Sequence, residues 1–261
     1  MRTSEPRTSE LVRKLPPQRE SVEQYPLGYA IALHLLPGAA LALFIVLAAP
    51  LVGALFALVL GIGVVIVPIE LGYLLYRAKR TTGTWSLASV VNYRERLSLP
   101  KYALWGFGLY AWFTAVLFAS IAMFDAWIAR TFFFWLPESI LQFSSTSVEG
   151  GGESLAFLVV FFVAAFVFNG IVGPVVEELY FRGHLLPRID RFGRWAPVLN
   201  AVLFSVYHFW TPWQNLGRIV GLLPWVYTVW RTRSVYLSII VHVAVNMTNV
   251  LLLLAVVLAT L

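Results

Sequence analysis

The sequence predicts an all-α fold: a polytopic transmembrane helix bundle of seven spans, or eight if residues 126–143 insert. Three observations predict it. The chain is 59% hydrophobic and only 12% charged, with a mean hydropathy of +0.78; that is about half the charged fraction of a soluble protein. Its apolar residues fall in runs of about 20, the helix length that crosses a hydrocarbon core about 30 Å thick. Its basic residues border those runs, as they do where membrane helices meet the cytoplasm and its anionic lipids. The formal charge of +6 therefore points to headgroups and topology, not to nucleic acid. There is no cysteine, which excludes disulfides, a thiolate metal site and a cysteine nucleophile.

The elements follow in order. Residues 1–26 are polar and basic, with no apolar segment of the kind a cleavable signal carries, and read as a disordered cytoplasmic tail. The first span is 28–49; its Pro37 kinks a membrane helix without ending it, and Pro50 marks a tight turn. The second, 52–76, contains Glu70, and residues 77–101 form a basic connection. The lone His34 and Glu70 have no motif around them and read as packing or interface residues. The third span is 103–124, ending at Asp125. Residues 126–143 are aromatic and interrupted by Arg130 and Glu138, which suits an interfacial helix better than a crossing. Ser144–Ser154 reads as a flexible loop. The fourth span starts near Leu155, the fifth is 196–211, the sixth 217–230 and the seventh 235–258. Three regions result: the tail 1–26, N-terminal spans 27–150, and a core 151–261. With the N-terminus cytoplasmic, the inner face receives five Lys/Arg from the tail, six from 77–101, Arg188, Arg191, Arg194, Arg231 and Arg233. That makes 16 of 19, with Arg130 and Arg218 outside and Arg182 within the membrane. The C-terminus is then exoplasmic.

The functional stretch is Glu177-Glu178-Leu179-Tyr180-Phe181-Arg182. Twenty-two residues, Leu155 to Val176, pass without a charge; then two carboxylates and a guanidinium arrive together. Each charge at membrane depth costs at least about 2.5–3.5 kcal/mol, so such groups are paired or functional. Glu178 and Arg182 form an i,i+4 pair in the favourable order. Glu177 points about 100° away and is free to face a cavity. Depth brings in two more helices. Glu177 lies eleven residues from Arg188, about 16 Å. His208 lies about 18 Å into its span, and His242 and Asn246 about 10 and 16 Å into theirs. His242-x-x-x-Asn246 sets two donors on one helical face, as an oxyanion site requires. Glu177 with His208 is equipped to hold and deprotonate a water.

The ordered set Glu-Glu-x-x-x-Arg, Phe204-x-x-x-His208 and His242-x-x-x-Asn246 resembles the type II CAAX prenyl endopeptidases. It equally resembles their bacterial relatives, the CPBP (CAAX protease and bacteriocin-processing, or Abi) intramembrane proteases. The resemblance covers residues 155–250 and includes Tyr227-x-x-x-Arg231-Thr232-x-Ser234. It implies an intramembrane endopeptidase of the cell membrane, acting on a peptide or protein substrate that enters from the bilayer and is prenylated or membrane-associated. It also implies that Glu177 and His208 activate the water, that His242 and Asn246 hold the oxyanion, and that Glu178 and Arg182 support them. No metal or cofactor is expected. Zinc is the alternative, with Glu177, His208 and His242 as ligands, although the chain lacks a His-Glu-x-x-His helix. His184 is expected at headgroup level. The rival outside enzymology is a membrane protein that keeps the ionic network for packing. A transporter would show repeated halves, which this chain lacks.

Overall fold

The computed structural model describes residues 22–144 and 154–260. Most of the expected tail and of the Ser144–Ser154 loop lies outside the described residues. Seven long helices form the bundle: α1 Leu27–Val52, α2 Ala54–Thr82, α3 Leu99–Phe132, α4 Leu155–Arg188, α5 Ala196–Tyr207, α6 Asn215–Thr232 and α7 Val235–Thr260. No strand occurs among the described residues. Five of these helices, α1–α4 and α7, are long and apolar enough to cross a membrane. Their outward faces carry large apolar residues, as lipid contact requires.

The expected boundaries move in two places. The turn after α1 is made by Gly53 (φ 81°), while Pro50 stays inside the helix. Proline only removes one donor near the helix end, whereas the positive φ needs glycine. Residues 126–132 do not form a separate interfacial helix; they extend α3 to Phe132. Nothing there breaks the ladder, and Asp125 Oδ1 accepts the Ser120 hydroxyl within the helix at 2.7 Å. That pair is five residues apart, and the segment Ile121–Asp125 is π-helical.

The other π-helical stretches have a different cause. Ile62–Ile66, Ala165–Val172 and Leu179–Leu185 each end two residues before a proline: Pro68, Pro174 and Pro187. Proline donates no N–H and its ring crowds the carbonyl four residues back. A widened turn just ahead relieves both. In α4 two such turns flank the α-helical segment Gly173–Glu178 that carries the glutamates. π-bulges of this kind concentrate at functional sites.

α5 and α6 pack against each other. α5 has 12 residues, about 18 Å, too short to cross alone. The turn after it, 208–214, is irregular backbone within the bundle. Such backbone is tolerated at membrane depth only where protein buries it or a cavity is lined by it. α1 comes close enough to hold this turn: a Cβ on Gly38 would lie 2.0 Å from the Tyr207 carbonyl oxygen.

At the end of the bundle where α2 finishes, the connection after it is stitched down. Asn92 N–H donates to Gly183 O at 2.8 Å, and Glu95 N–H to Arg233 O at 2.9 Å. His184 is fully buried there, between the Tyr25 hydroxyl (3.0 Å) and Val90 O (3.0 Å). It is a tie between α4, the N-terminal segment and the connection, not a headgroup residue. The Tyr25 backbone N–H also donates to Arg188 O at 2.8 Å.

Candidate active site

Glu177 and Glu178 sit in the middle of α4, surrounded by α2, α5, α6 and α7. Their different directions give them different partners. Glu178 is fully buried and saturated with contacts. Its Oε1 accepts from His242 Nδ1 at 2.8 Å and lies 3.3 Å from Arg182 Nη1. Its Oε2 accepts the Ser238 hydroxyl, which in turn accepts Trp225 Nε1–H at 2.8 Å. Arg182 is likewise buried, with its guanidinium carbon 3.8 Å above the Phe204 ring. None of its three side-chain nitrogens makes a well-formed hydrogen bond among the described residues. Charge and the aromatic face hold it.

Glu177 turns toward a cavity of about 180 Å³. Its Oε1 accepts the Tyr207 hydroxyl at 3.0 Å, and its Oε2 lies 3.6 Å from His242 Nε2. His208, His242 and Asn246 line the same cavity. Two helices, α4 and α7, and the turn after α5 thus bring the four expected residues to one space. His208 is the exception in its local setting. It is not inside a helix but follows α5, at φ −80° and ψ 60°. Thr211-Pro212 does not set the end; the helix stops four residues earlier.

The ring tautomers follow from their partners. His208 Nδ1 lies 2.8 Å from Phe204 O. A carbonyl only accepts, so Nδ1 carries the proton and neutral His208 keeps a lone pair on Nε2. His242 Nδ1 donates to the Glu178 carboxylate by the same logic. For its Nε2 to donate as well, the ring must hold both protons; the charge is then flanked by Glu178 and Glu177. Asn246 Nδ2 donates to Asn169 O on α4 at 2.9 Å, which fixes the amide plane and leaves the second N–H on Nδ2.

Residues 158–248 match the family model described as Type II CAAX prenyl endopeptidase Rce1-like. The match spans 91 of the 261 residues and says what that stretch is similar to. It runs from early α4 to the middle of α7 and contains all six of the expected site residues. No curated protein and no solved structure matches the chain. The match indicates a CAAX-type protease family over that stretch, in a chain with five helices long and apolar enough to cross a membrane.

Sequence reasoning missed several residues around the Rce1-like site. Tyr207 is the hydroxyl donor to Glu177, and its only sequence signal is that it precedes His208. Ser238 holds Glu178, one helical turn before His242. Arg218, expected outside, is buried and lines the cavity, bonded to Thr211 Oγ1 and Gln214 Oε1 at 2.7 Å each. Those partners lie one helical turn or one loop away, so a lone arginine beside an apolar run reads as exposed until the turn is placed. His34 is a packing residue: fully buried, bonded to Ala30 O (2.7 Å) and Asn200 (3.0 Å). Glu70 faces the bundle and is taken up below.

The zinc alternative needs Glu177, His208 and His242 in one coordination sphere. Among the described residues no group of three His, Cys, Asp or Glu side chains is placed to hold a metal ion. His242 Nε2 lies 3.6 Å from Glu177 Oε2, an ion-pair separation longer than a formed hydrogen bond. The side chains as placed do not fit the ion.

Proposed function

We propose that the chain is an intramembrane endopeptidase that hydrolyses a peptide bond of a membrane-associated or prenylated-like substrate with an activated water. The observation that carries this reading is the shared cavity, lined by two acceptors and two donors. Glu177 presents a carboxylate oxygen and His208 an unprotonated Nε2; together they orient a water. The water oxygen attacks the carbonyl carbon as its proton passes to Glu177. The carbonyl electron pair moves onto oxygen, where His242 Nε2–H and the second Asn246 N–H stabilise it. The tetrahedral intermediate then collapses. The C–N bond breaks, and Glu177 returns the proton to the leaving nitrogen. Glu178 and Arg182 act behind this layer: Glu178 fixes His242, and Arg182 balances Glu178.

The cavity volume of about 180 Å³ is below the roughly 300–1,000 Å³ of sites that enclose a whole drug-sized ligand. It suits the reacting peptide unit, with the apolar remainder of the substrate lying in the bilayer or between helices. The orientation follows the charge count, with the N-terminus cytoplasmic. Proteomics of membrane fractions tests the whole reading by comparing wild type with Glu177→Gln. A substrate peptide whose new terminus appears only in wild type is expected. Identical termini in both would remove Glu177 as the base.

A further inference from the structure

We propose that Glu70, on α2, is a positioning residue for Glu177, acting through Tyr207 as a neutral carboxylic acid. The inference rests on the reading of Glu177 as the base. Glu70 is completely buried, and neither carboxyl oxygen has a hydrogen-bond partner among the described residues. It stands two residues after Pro68, where α2 packs against the Gly173–Glu178 segment and the following π turn of α4. The charged and titratable groups around it are Glu177, Glu178, Tyr180 and Arg182 from α4 and Tyr207 from α5. It forms no ion pair with Arg182, whose carboxylate partner is Glu178.

An ionised carboxylate with no donor cannot be held in such a place at acceptable cost, so the group takes up a proton. The acceptor we assign to that proton is Tyr207, a neighbour that interacts with the Glu70 carboxyl although no formed hydrogen bond joins the two side chains as placed. Tyr207 has one proton, and it is directed to Glu177 Oε1 at 3.0 Å. Its oxygen is left with acceptor capacity only. The chain then reads Glu70 O–H to Tyr207 Oη, and Tyr207 O–H to Glu177. No covalent bond changes. The effect is directional: Glu70 keeps the tyrosine proton aimed at Oε1, and Oε2 stays as the oxygen available to the cavity.

Two measurements on the full chain in detergent test this. The first needs no substrate. At neutral pH, infrared difference spectra should show a protonated-carboxyl carbonyl stretch that Glu70→Gln removes and Glu177→Gln leaves in place. Absence of a band assignable to Glu70 overturns the proposal. The second follows cleavage of a quenched fluorescent peptide with a farnesylated cysteine fourth from its C-terminus. Glu70→Leu should lower kcat by about ten- to a hundredfold with KM kept, the size of a small misplacement of a reacting group. Glu70→Gln, whose amide N–H also donates to Tyr207, should recover most of the loss. Glu70→Gln as damaged as Glu70→Leu overturns the neutral-donor role, and wild-type kcat in both overturns any role. Should Glu70→Leu fail to fold, Tyr207→Phe replaces it, with the same kcat loss expected and wild-type kcat as the refuting result. Glu177→Gln separates the two layers. If it cleaves normally, the mechanism beneath fails; if it is inactive while the Glu70 variants match wild type, only this inference fails.

Discussion

Arg182→Ala isolates the support behind the site. In the folded protein the Arg182 and Glu178 side chains are both fully buried, 3.3 Å apart. Removing the guanidinium leaves the Glu178 carboxylate buried with His242 and Ser238 but without its arginine. Breaking a buried pair from one side costs about 3–5 kcal/mol. It also empties the space 3.8 Å above the Phe204 ring, which adds to the loss. For a chain of this size each kcal/mol moves the melting temperature by about 2–4 °C. The expected fall is therefore about 6–20 °C, read as loss of soluble, monodisperse protein on heating in detergent. The double variant Glu178→Gln with Arg182→Met removes both charges and keeps the volume. Because neutral replacement of a buried pair is often harmless, it should regain most of the stability. The glutamine carbonyl still accepts from His242 Nδ1. Equal melting of Arg182→Ala and wild type, or a double variant no more stable than the single one, refutes the pairing argument.

Three other outcomes are expected. Reporter fusions after Arg96 and at Leu261 should report opposite sides of the membrane, cytoplasmic and exoplasmic. Whether α5 and α6 cross as a pair or turn back within the membrane, the number of crossings stays odd, so the same side for both would sink the topology. Asn246→Ala should lower turnover by about 10²–10³-fold, the size of one lost oxyanion donor; a change confined to KM would move Asn246 to substrate binding. Activity should survive a chelator that strips zinc. Inhibition by an ortho-phenanthroline-type chelator but not by its non-chelating isomer, with recovery on adding zinc, would turn Glu177 into a ligand or a base beside a metal-bound water.

What could be read from the sequence was what repeats locally. Runs of apolar residues placed all seven helices, with ends displaced by up to eight residues, because length and hydropathy are properties of one segment. The paired glutamates, the arginine and the two histidines were legible because charge in an apolar run stands out. The failures have a common form. Pro50, Asp125 and Thr211-Pro212 were read as ends, yet α1 continues past the first, α3 past the second, and α5 stops before the third. Each outcome depends on a partner the local pattern does not contain: Ser120 for Asp125, and the Arg218 cluster for the turn after Tyr207.

The same distinction explains why Tyr207 and Glu70 stayed hidden. A tyrosine among aromatics and a single glutamate near a helix end carry no periodic signal. Their meaning comes from the approach of three chain segments about 30 to 140 positions apart in sequence. Gly38 lets α1 press on the Tyr207 backbone, which fixes where α5 must stop. Pro174 and Pro187 loosen α4 on both sides of the glutamates, which sets the direction of Glu177. Pro68 does the same beneath Glu70. Glycines and prolines in these helices are thus the visible half of the site's geometry. The polar residues they aim become interpretable only after the widened turns are in place, since each π turn rotates everything beyond it relative to the α-helical spacing assumed from sequence.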